Sequence, residues 1–304
     1  MRWIPCFAPL VVVVLSSGCL SDKSESESDR LLAAGEQAYD EQRYEDAIAT
    51  FEDLIARFPG DPTLPRAHYY LARSHHQLGQ YVAARTDYEI VVSSYPDHEK
   101  ADDAQYRIGE SYYDEANYTT ALSELEQVLA SYPGTDSADD AQLKIGRSYH
   151  QLSQYDAARG AYQQVLDGYP GSGQADDALY WLGETHYDQA SYGTALPVFQ
   201  SVVAQYPSGD HADDAQYRVG RCYNQLADYD SARVEYERVL TLYPTSAEAD
   251  DAQFRIAITY HDQASYDVEL TELRALVDGY PTSARVVVAQ QHVTDILGPR
   301  SFHP

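Results

Sequence analysis

The stretch Ala104-Gln105-Tyr106-Arg107-Ile108-Gly109-Glu110-Ser111-Tyr112-Tyr113, followed by Tyr118, Ala121 and Tyr132-Pro133, decides the fold. Ala104, Ile108, Tyr112 and Ala116 recur at helical spacing, and so do Leu122, Leu125, Val128 and Leu129 beyond Tyr118. The spacing predicts two amphipathic helices joined by a short turn at Ala116-Asn117. The second helix ends at Tyr132-Pro133, because the residue before a proline is sterically pushed out of helical dihedrals. Gly109 and Ala121 lack bulk where the two helices of such a hairpin must approach closely.

This hairpin repeats every 37 residues. Tyr44, Tyr81, Tyr118, Tyr155, Tyr192, Tyr229 and Tyr266 share one register, and so do Pro59, Pro96, Pro133, Pro170, Pro207, Pro244 and Pro281. Small residues recur at Ala47, Ala84, Ala121, Ala158, Ala195 and Ala232. Glycines recur at Gly35, Gly109, Gly146, Gly183 and Gly220, with Ala72 and Ala257 in the gaps. One hairpin cannot bury both its faces, so neighbours must stack into a continuous core. The recurring tyrosine is expected to plug the gap between hairpins. The last unit departs from the pattern, because Glu269 stands where the others have alanine, which predicts looser packing there. Residues 283–297 read as one more helix capping the array, stopped by Gly298-Pro299. Gln290, Gln291, His292 and Asp295 are expected to give that helix a polar outer face.

The quoted residues resemble the tetratricopeptide repeat family, with the glycine, the tyrosine three places later, Tyr118, Ala121 and Pro133 at matching places. The family repeats about every 34 residues; the extra residues here lie between the proline and the next first helix, as in Gly134-Thr135-Asp136-Ser137. The resemblance implies an all-α, right-handed α-solenoid of about seven helical hairpins over residues 29–282. The capping helix at 283–297 and a tail at 298–304 follow.

The N-terminal segment reads as an address and a tether. Met1-Arg2 precedes an apolar run from Ile4 to Leu15, too short to span a bilayer, which indicates a signal peptide over 1–18. Leu15-Ser16-Ser17-Gly18-Cys19 resembles the lipobox of bacterial lipoproteins, which implies lipidation at Cys19. Leu20, in place of the aspartate that would favour inner-membrane retention, points to the outer membrane of a Gram-negative envelope. The polar, acidic segment that follows, within 19–28, reads as a flexible tether. With Cys6 in the signal and Cys19 acylated, Cys222 is alone, so the mature chain has no intrachain disulfide. It occupies the place of Ser74, Ser111 and Ser148 in sister repeats, which marks it as a small packing residue.

A net charge of -27 repels nucleic-acid phosphates and anionic lipid headgroups, so neither is an expected partner. There is no His-Glu-x-x-His, glycine-rich phosphate loop or Cys-x-x-Cys, so no catalytic, metal or cofactor site is expected. Ala-Asp-Asp-Ala recurs at Ala101, Ala138, Ala175, Ala212 and Ala249. Paired aspartates in a first turn complement the positive helix end. Ser137 suits an N-cap, with Asp140 in the capping-box place.

A second period of 74 residues overlies the first. The residue after the recurrent glycine or alanine alternates through Glu36, Arg73, Glu110, Arg147, Glu184 and Arg221. In the tetratricopeptide fold this place faces the concave groove, where successive repeats would set Glu beside Arg as an ion-pair ladder. Tyr69, Tyr106, Tyr180 and Tyr217 precede the ladder, and Tyr113, His150 and Tyr187 follow it. Together with Arg73, Glu110, Arg147, Glu184 and Arg221 they form the candidate groove for a peptide or an envelope protein. Residues Asp177 to Tyr187 resemble the repeat domain of Tol–Pal-associated periplasmic proteins. The plan of lipidated cysteine, tether and repeats opening with Tyr44-Glu45-Asp46-Ala47-Ile48 resembles the lipoprotein of the β-barrel assembly machine. These resemblances imply a non-enzymatic, periplasm-facing scaffold for envelope maintenance. A barrel-assembly component, a pilus pilotin and a self-associating structural protein are the alternatives.

Overall fold

The computed structural model describes residues 26–298; the signal peptide, Cys19, most of the tether and the tail beyond Gly298 lie outside them. Among the described residues the fold is entirely helical. Seven hairpins follow one another: α1 (Glu27–Asp40) with α2 (Tyr44–Arg57), α3 (Leu64–Gln77) with α4 (Tyr81–Ser94), α5 (Ala101–Asp114) with α6 (Tyr118–Ser131), and α7 (Asp136–Gln151) with α8 (Tyr155–Gly168). Then come α9 (Ala175–Asp188) with α10 (Tyr192–Gln205), α11 (Ala212–Gln225) with α12 (Tyr229–Leu242), α13 (Ala249–Asp262) with α14 (Tyr266–Gly279), and the cap α15 (Arg285–Leu297). The first helix begins at Glu27, two residues before the expected start, because Ser26 and Asp29 form a reciprocal capping box.

Each helix packs against the next along the chain, and the apolar core divides into seven clusters, each bridging neighbouring units. The hairpins lock by one recurrent device. Phe51, Tyr88, Leu125, Tyr162, Phe199, Tyr236 and Leu273, again 37 apart, are fully buried. They lie against the small residue of the first helix. A Cβ placed on Gly146 would stand 2.5 Å from the Tyr162 ring, and one on Gly109 2.7 Å from Leu125. Ala47, Ala84, Ala121, Ala158, Ala195 and Ala232 are likewise without exposure.

This corrects the role assigned to the Tyr44 series. Those rings are half-buried or exposed and pack across their own hairpin turn. They make edge contacts such as Tyr113–Tyr118 at 5.1 Å and His150–Tyr155 at 5.5 Å. The plug between helices is the Phe51 series, whose mixture of Phe, Tyr and Leu hides the periodicity. In six of the seven turns the bend is made by a residue with a side chain in the left-handed region: Gln42, Ala116, Ser153, Ala190, Ala227 and Ala264, with φ of 55–60°. The second hairpin uses Gly79, φ 69°.

The Ala-Asp-Asp-Ala aspartates do occupy first helical turns, but they also reach the neighbouring hairpin. Ser137 is not an N-cap: α7 starts at Asp136, and the Ser137 hydroxyl donates to Asp102 of the preceding unit (3.1 Å). Ser283 donates to Asp250 (2.5 Å) in the same manner, and Ser28 donates to Asp61 in the loop before α3 (2.7 Å). Nor does Glu269 loosen its hairpin. Its side chain is fully buried and accepts hydrogen bonds from two imidazoles. The cap is a helix as expected. Its His292 turns inward while Val287 (72% exposed) and Val288 face solvent, so the outer face is less polar than the sequence suggests.

Candidate partner-binding groove

Successive first helices touch one another (α1 with α3, α5 with α7, α7 with α9, α13 with α15) more extensively than any two second helices do. The first helices are thus crowded toward the inner side of the solenoid, and the Glu/Arg register lies on them. The register is not, however, a ladder of Glu36, Arg73 and their successors pairing with each other. Glu36 is bonded by Arg66 (3.0 Å), Glu110 by Arg107 (2.6 Å) and Lys144 (3.0 Å), and Glu184 by Arg218 (2.7 Å). Arg107, Lys144 and Arg218 stand one turn before the register on the same helix face. A basic column three residues upstream was the signal that sequence reading missed.

The consequence is that Arg73, Arg147 and Arg221 have no ion pair with any described carboxylate. Each is held by aromatic faces instead. Arg73 lies 4.7 Å from the Tyr39 ring and 5.7 Å from those of Tyr69 and Tyr70. Arg147 lies 4.9 Å from Trp181, and Arg221 5.6 Å from Tyr187 and 5.8 Å from Tyr217. Stacking on a ring face fixes a guanidinium while leaving its edge donors free. The Nε of Arg147 is buried without a hydrogen-bond partner. The hydroxyls of Tyr88, Tyr162 and Tyr236, the plugs of these same three hairpins, are also buried and unbonded.

Charge at the paired positions differs from repeat to repeat. Glu110 is buried, which opposes its charge, yet Lys144 and Arg107 together hold it at about 2. Burial raises Glu184 to about 7, and Arg218 alone does not offset it. His211 is opposed by burial but held at about 9 by Asp177 and Asp214, so it is cationic at neutral pH. Burial raises Asp140 to about 6, with Asp139 adding to the effect. Two clefts open between first helices. One of about 360 Å³ is lined by Arg73, His76, Tyr88, Arg107, Glu110 and Asp114 among others. The other, about 230 Å³, lies among Tyr217, Arg218, Arg221, Glu248, Asp251 and Arg255.

The aromatic members of the predicted groove divide. Tyr69, Tyr106, Tyr180 and Tyr217 are buried between helices. Tyr69 donates to Asp103, Tyr106 donates to Glu110 (3.3 Å), and Tyr180 stacks on His211 at 4.2 Å. They pack between helices and do not present contact area. Tyr113, His150 and Tyr187 are only half-buried and remain at its surface. His150 pairs with Asp188 (2.8 Å) and His76 with Asp114 (2.9 Å), tying arginine-bearing hairpins to the glutamate-bearing ones that follow. Cys222 is buried and its thiol pushed up to about 12, so it packs and does not react.

A tetratricopeptide repeat model matches residues 32–99, and the model described as outer membrane lipoprotein (YfiO) matches residues 100–192 and 174–297. The chain belongs to the tetratricopeptide-repeat lipoprotein family. No curated protein matches it. Among solved structures, the chain is similar to the C-terminal part of a TPR repeat-containing protein from Cytophaga hutchinsonii. That likeness has a TM-score of 0.67 at 16% identity and covers 85% of this chain and 98% of that one. The apo form of RapI aligns with TM-score 0.66 at 13% identity, over 89% of this chain and 82% of that one. A tetratricopeptide repeat protein from Parabacteroides merdae aligns with TM-score 0.58 at 14% identity, over 89% and 99%. At these identities the likeness establishes the fold alone. Repeat fold and family make the chain a protein-interaction scaffold, a class that is generally non-enzymatic.

Proposed function

We propose that the protein is a lipid-anchored, periplasm-facing scaffold for cell-envelope maintenance that holds an acidic segment of a partner in its concave groove. One observation carries the reading. In a chain of net charge -27, three arginines two hairpins apart have been left without carboxylate partners on the inner face, braced by aromatic rings. Each sits in a hairpin whose buried tyrosine hydroxyl is also unbonded. Guanidinium donors of this kind suit carboxylates and backbone carbonyls of an extended peptide; the hydroxyls, sealed inside the hairpins, do not reach it. Carboxylates on the outer surface are screened within about 8 Å at physiological ionic strength, and those in the same clefts have other partners: Glu110 is held by Arg107 and Lys144, Asp114 by His76 and Asp251 by Arg285.

The outer membrane lipoprotein description of the matched family supports the placement, and no described helix is long and apolar enough to cross a membrane. Attachment in this reading rests on Cys19. The same family match favours a second reading, a component of the outer-membrane β-barrel assembly machinery. Crosslinked pull-down from native envelopes separates them, using wild type and a variant carrying Arg147→Glu and Arg221→Glu. Tol–Pal or cell-wall-synthesis proteins recovered with wild type and lost with the variant support the first reading. Barrel-assembly proteins recovered in that pattern support the second. Equal recovery with both chains overturns the groove.

A further inference from the structure

The seventh hairpin breaks the register of small residues that closes every other one. Six alanines and one glutamate, Glu269, share complete burial at this position. A lone carboxylate in that place is strongly unfavourable, and two imidazoles converge on it. His261 of α13 sets its Nδ1 2.9 Å from one carboxylate oxygen, and His292 of the cap α15 sets its Nδ1 3.1 Å from the other. The two rings meet edge to face at 5.5 Å. Candidate ligand atoms of the three residues all lie within 4.8 Å of one another.

In the fourth hairpin the histidine at the place of His261, His150, bonds the aspartate of the following hairpin. The last hairpin has no successor, and the cap supplies an imidazole there. A cleft of about 450 Å³ opens beside the cluster, and Asp295 lines it.

From this geometry we propose that His261, Glu269 and His292 form a site for a divalent transition metal of the zinc class, which clamps the capping helix onto the last hairpin. Two imidazoles and a carboxylate are a mixed nitrogen–oxygen donor set that suits zinc, whereas magnesium and calcium favour all-oxygen shells. Tetrahedral zinc, with bonds of 2.0–2.1 Å, sets its ligand atoms about 3.3 Å apart. The two nitrogen–oxygen separations, 2.9 and 3.1 Å, run to different oxygens of Glu269, so both oxygens face the ion or the carboxylate turns to bring one of them to both rings. Coordination through Nδ1 takes the place of the two hydrogen bonds to Glu269 and requires each imidazole in the tautomer that carries its ring proton on Nε2. Asp295 or water from the cleft completes four-coordination. Three residues from three helices then become one cross-link at the end of the array, where no further hairpin covers the core.

The test is zinc titration of the chelator-stripped full-length protein in detergent, with millimolar magnesium present to occupy the acidic surface. The expected result is one Zn²⁺ per chain and a raised thermal midpoint, with a four-coordinate visible spectrum on loading with Co²⁺. Glu269→Ala restores the residue of the other six hairpins and is expected to fold, to bind zinc at least about tenfold more weakly, and to lose the thermal shift. His292→Gln, on the half-buried side of the cluster, gives a second reading of the same loss. Zinc bound as tightly by both variants as by wild type, or no stoichiometric zinc in wild type, overturns the site and leaves the cluster a hydrogen-bonded tether.

Discussion

Two kinds of hairpin alternate along the solenoid. In the glutamate kind (α1–α2, α5–α6 and α9–α10), the plug is Phe51, Leu125 or Phe199, and the inward carboxylate is matched by cations. In the arginine kind (α3–α4, α7–α8 and α11–α12), the plug is Tyr88, Tyr162 or Tyr236 with an unbonded hydroxyl, and the inward guanidinium lacks a carboxylate. The pattern recurs every 74 residues, as duplication of a hairpin pair would produce, and it separates two tasks. One kind is satisfied internally and holds the array together. The other keeps polar donors in hand at a cost in buried, unpaired groups.

The comparison can be broken at its plugs. Leu125→Ala is expected to cost about 2–5 kcal/mol, because a fully buried side chain leaves a cavity between two helices that cannot collapse. Denaturant unfolding measures it, and a loss under 1 kcal/mol would mean that the plugs do not lock the hairpins.

The next effect is in pH, and its sign differs within the glutamate kind itself. Burial raises Glu184 above its unfolded value, to about 7. Its contribution is therefore full below about pH 4.5 and fades as pH rises to 7, on the order of 3 kcal/mol in all. Glu110, held at about 2, contributes in the opposite sense: fully above about pH 4.5 and lost as pH falls through 2. Glu184→Gln should flatten the stability profile between pH 4.5 and 7, and Glu110→Gln should leave that window unchanged while lowering stability throughout it. Parallel profiles for the two variants would contradict the difference in their surroundings.

A smaller effect separates two glycines of the same hairpin. Gly146→Ala drives a methyl into the Tyr162 ring and is expected to cost about 1–3 kcal/mol. Gly160→Ala, exposed on α8 with nothing within 4 Å, is expected to gain about 0.5–1 kcal/mol. Thermal midpoints moving in opposite directions would confirm that the first glycine is kept for contact and the second is not.

The smallest effect sharpens the contrast between the two kinds of plug. Tyr162→Phe turns an arginine-kind plug into a glutamate-kind one. It should leave stability unchanged or raise it by up to about 1 kcal/mol, since the hydroxyl has no partner to lose. Denaturant unfolding checks it, and a loss above about 1 kcal/mol would mean that the hydroxyl has a partner.

The hairpins, their number and the cap could be read from the sequence, because tyrosine, proline and small residues each recur singly at a fixed place. The plugs could not, since Phe51, Tyr88 and Leu125 share a volume and a burial but not an identity. The geometry at the candidate groove residues was only partly legible. The alternation of Glu36, Arg73 and Glu110 was visible, but its pairing depends on which neighbour a long side chain reaches. Lys144 and Arg218 reach the glutamates first. The inward turn of His292 follows from Glu269 and becomes visible only when α14 and α15 are side by side.

The turns of the hairpins bear on how far this architecture can be strengthened. An L-residue in the left-handed region gives up about 1–2 kcal/mol relative to a right-handed conformation. Ala116, Ala190, Ala227 and Ala264 all sit there, where the second hairpin has Gly79. Because a stacked array sums the stabilities of its units and their interfaces, the penalties accumulate along the chain. The natural sequence therefore stands below the thermal ceiling of its own backbone, and four glycines would raise it without touching the groove or the core.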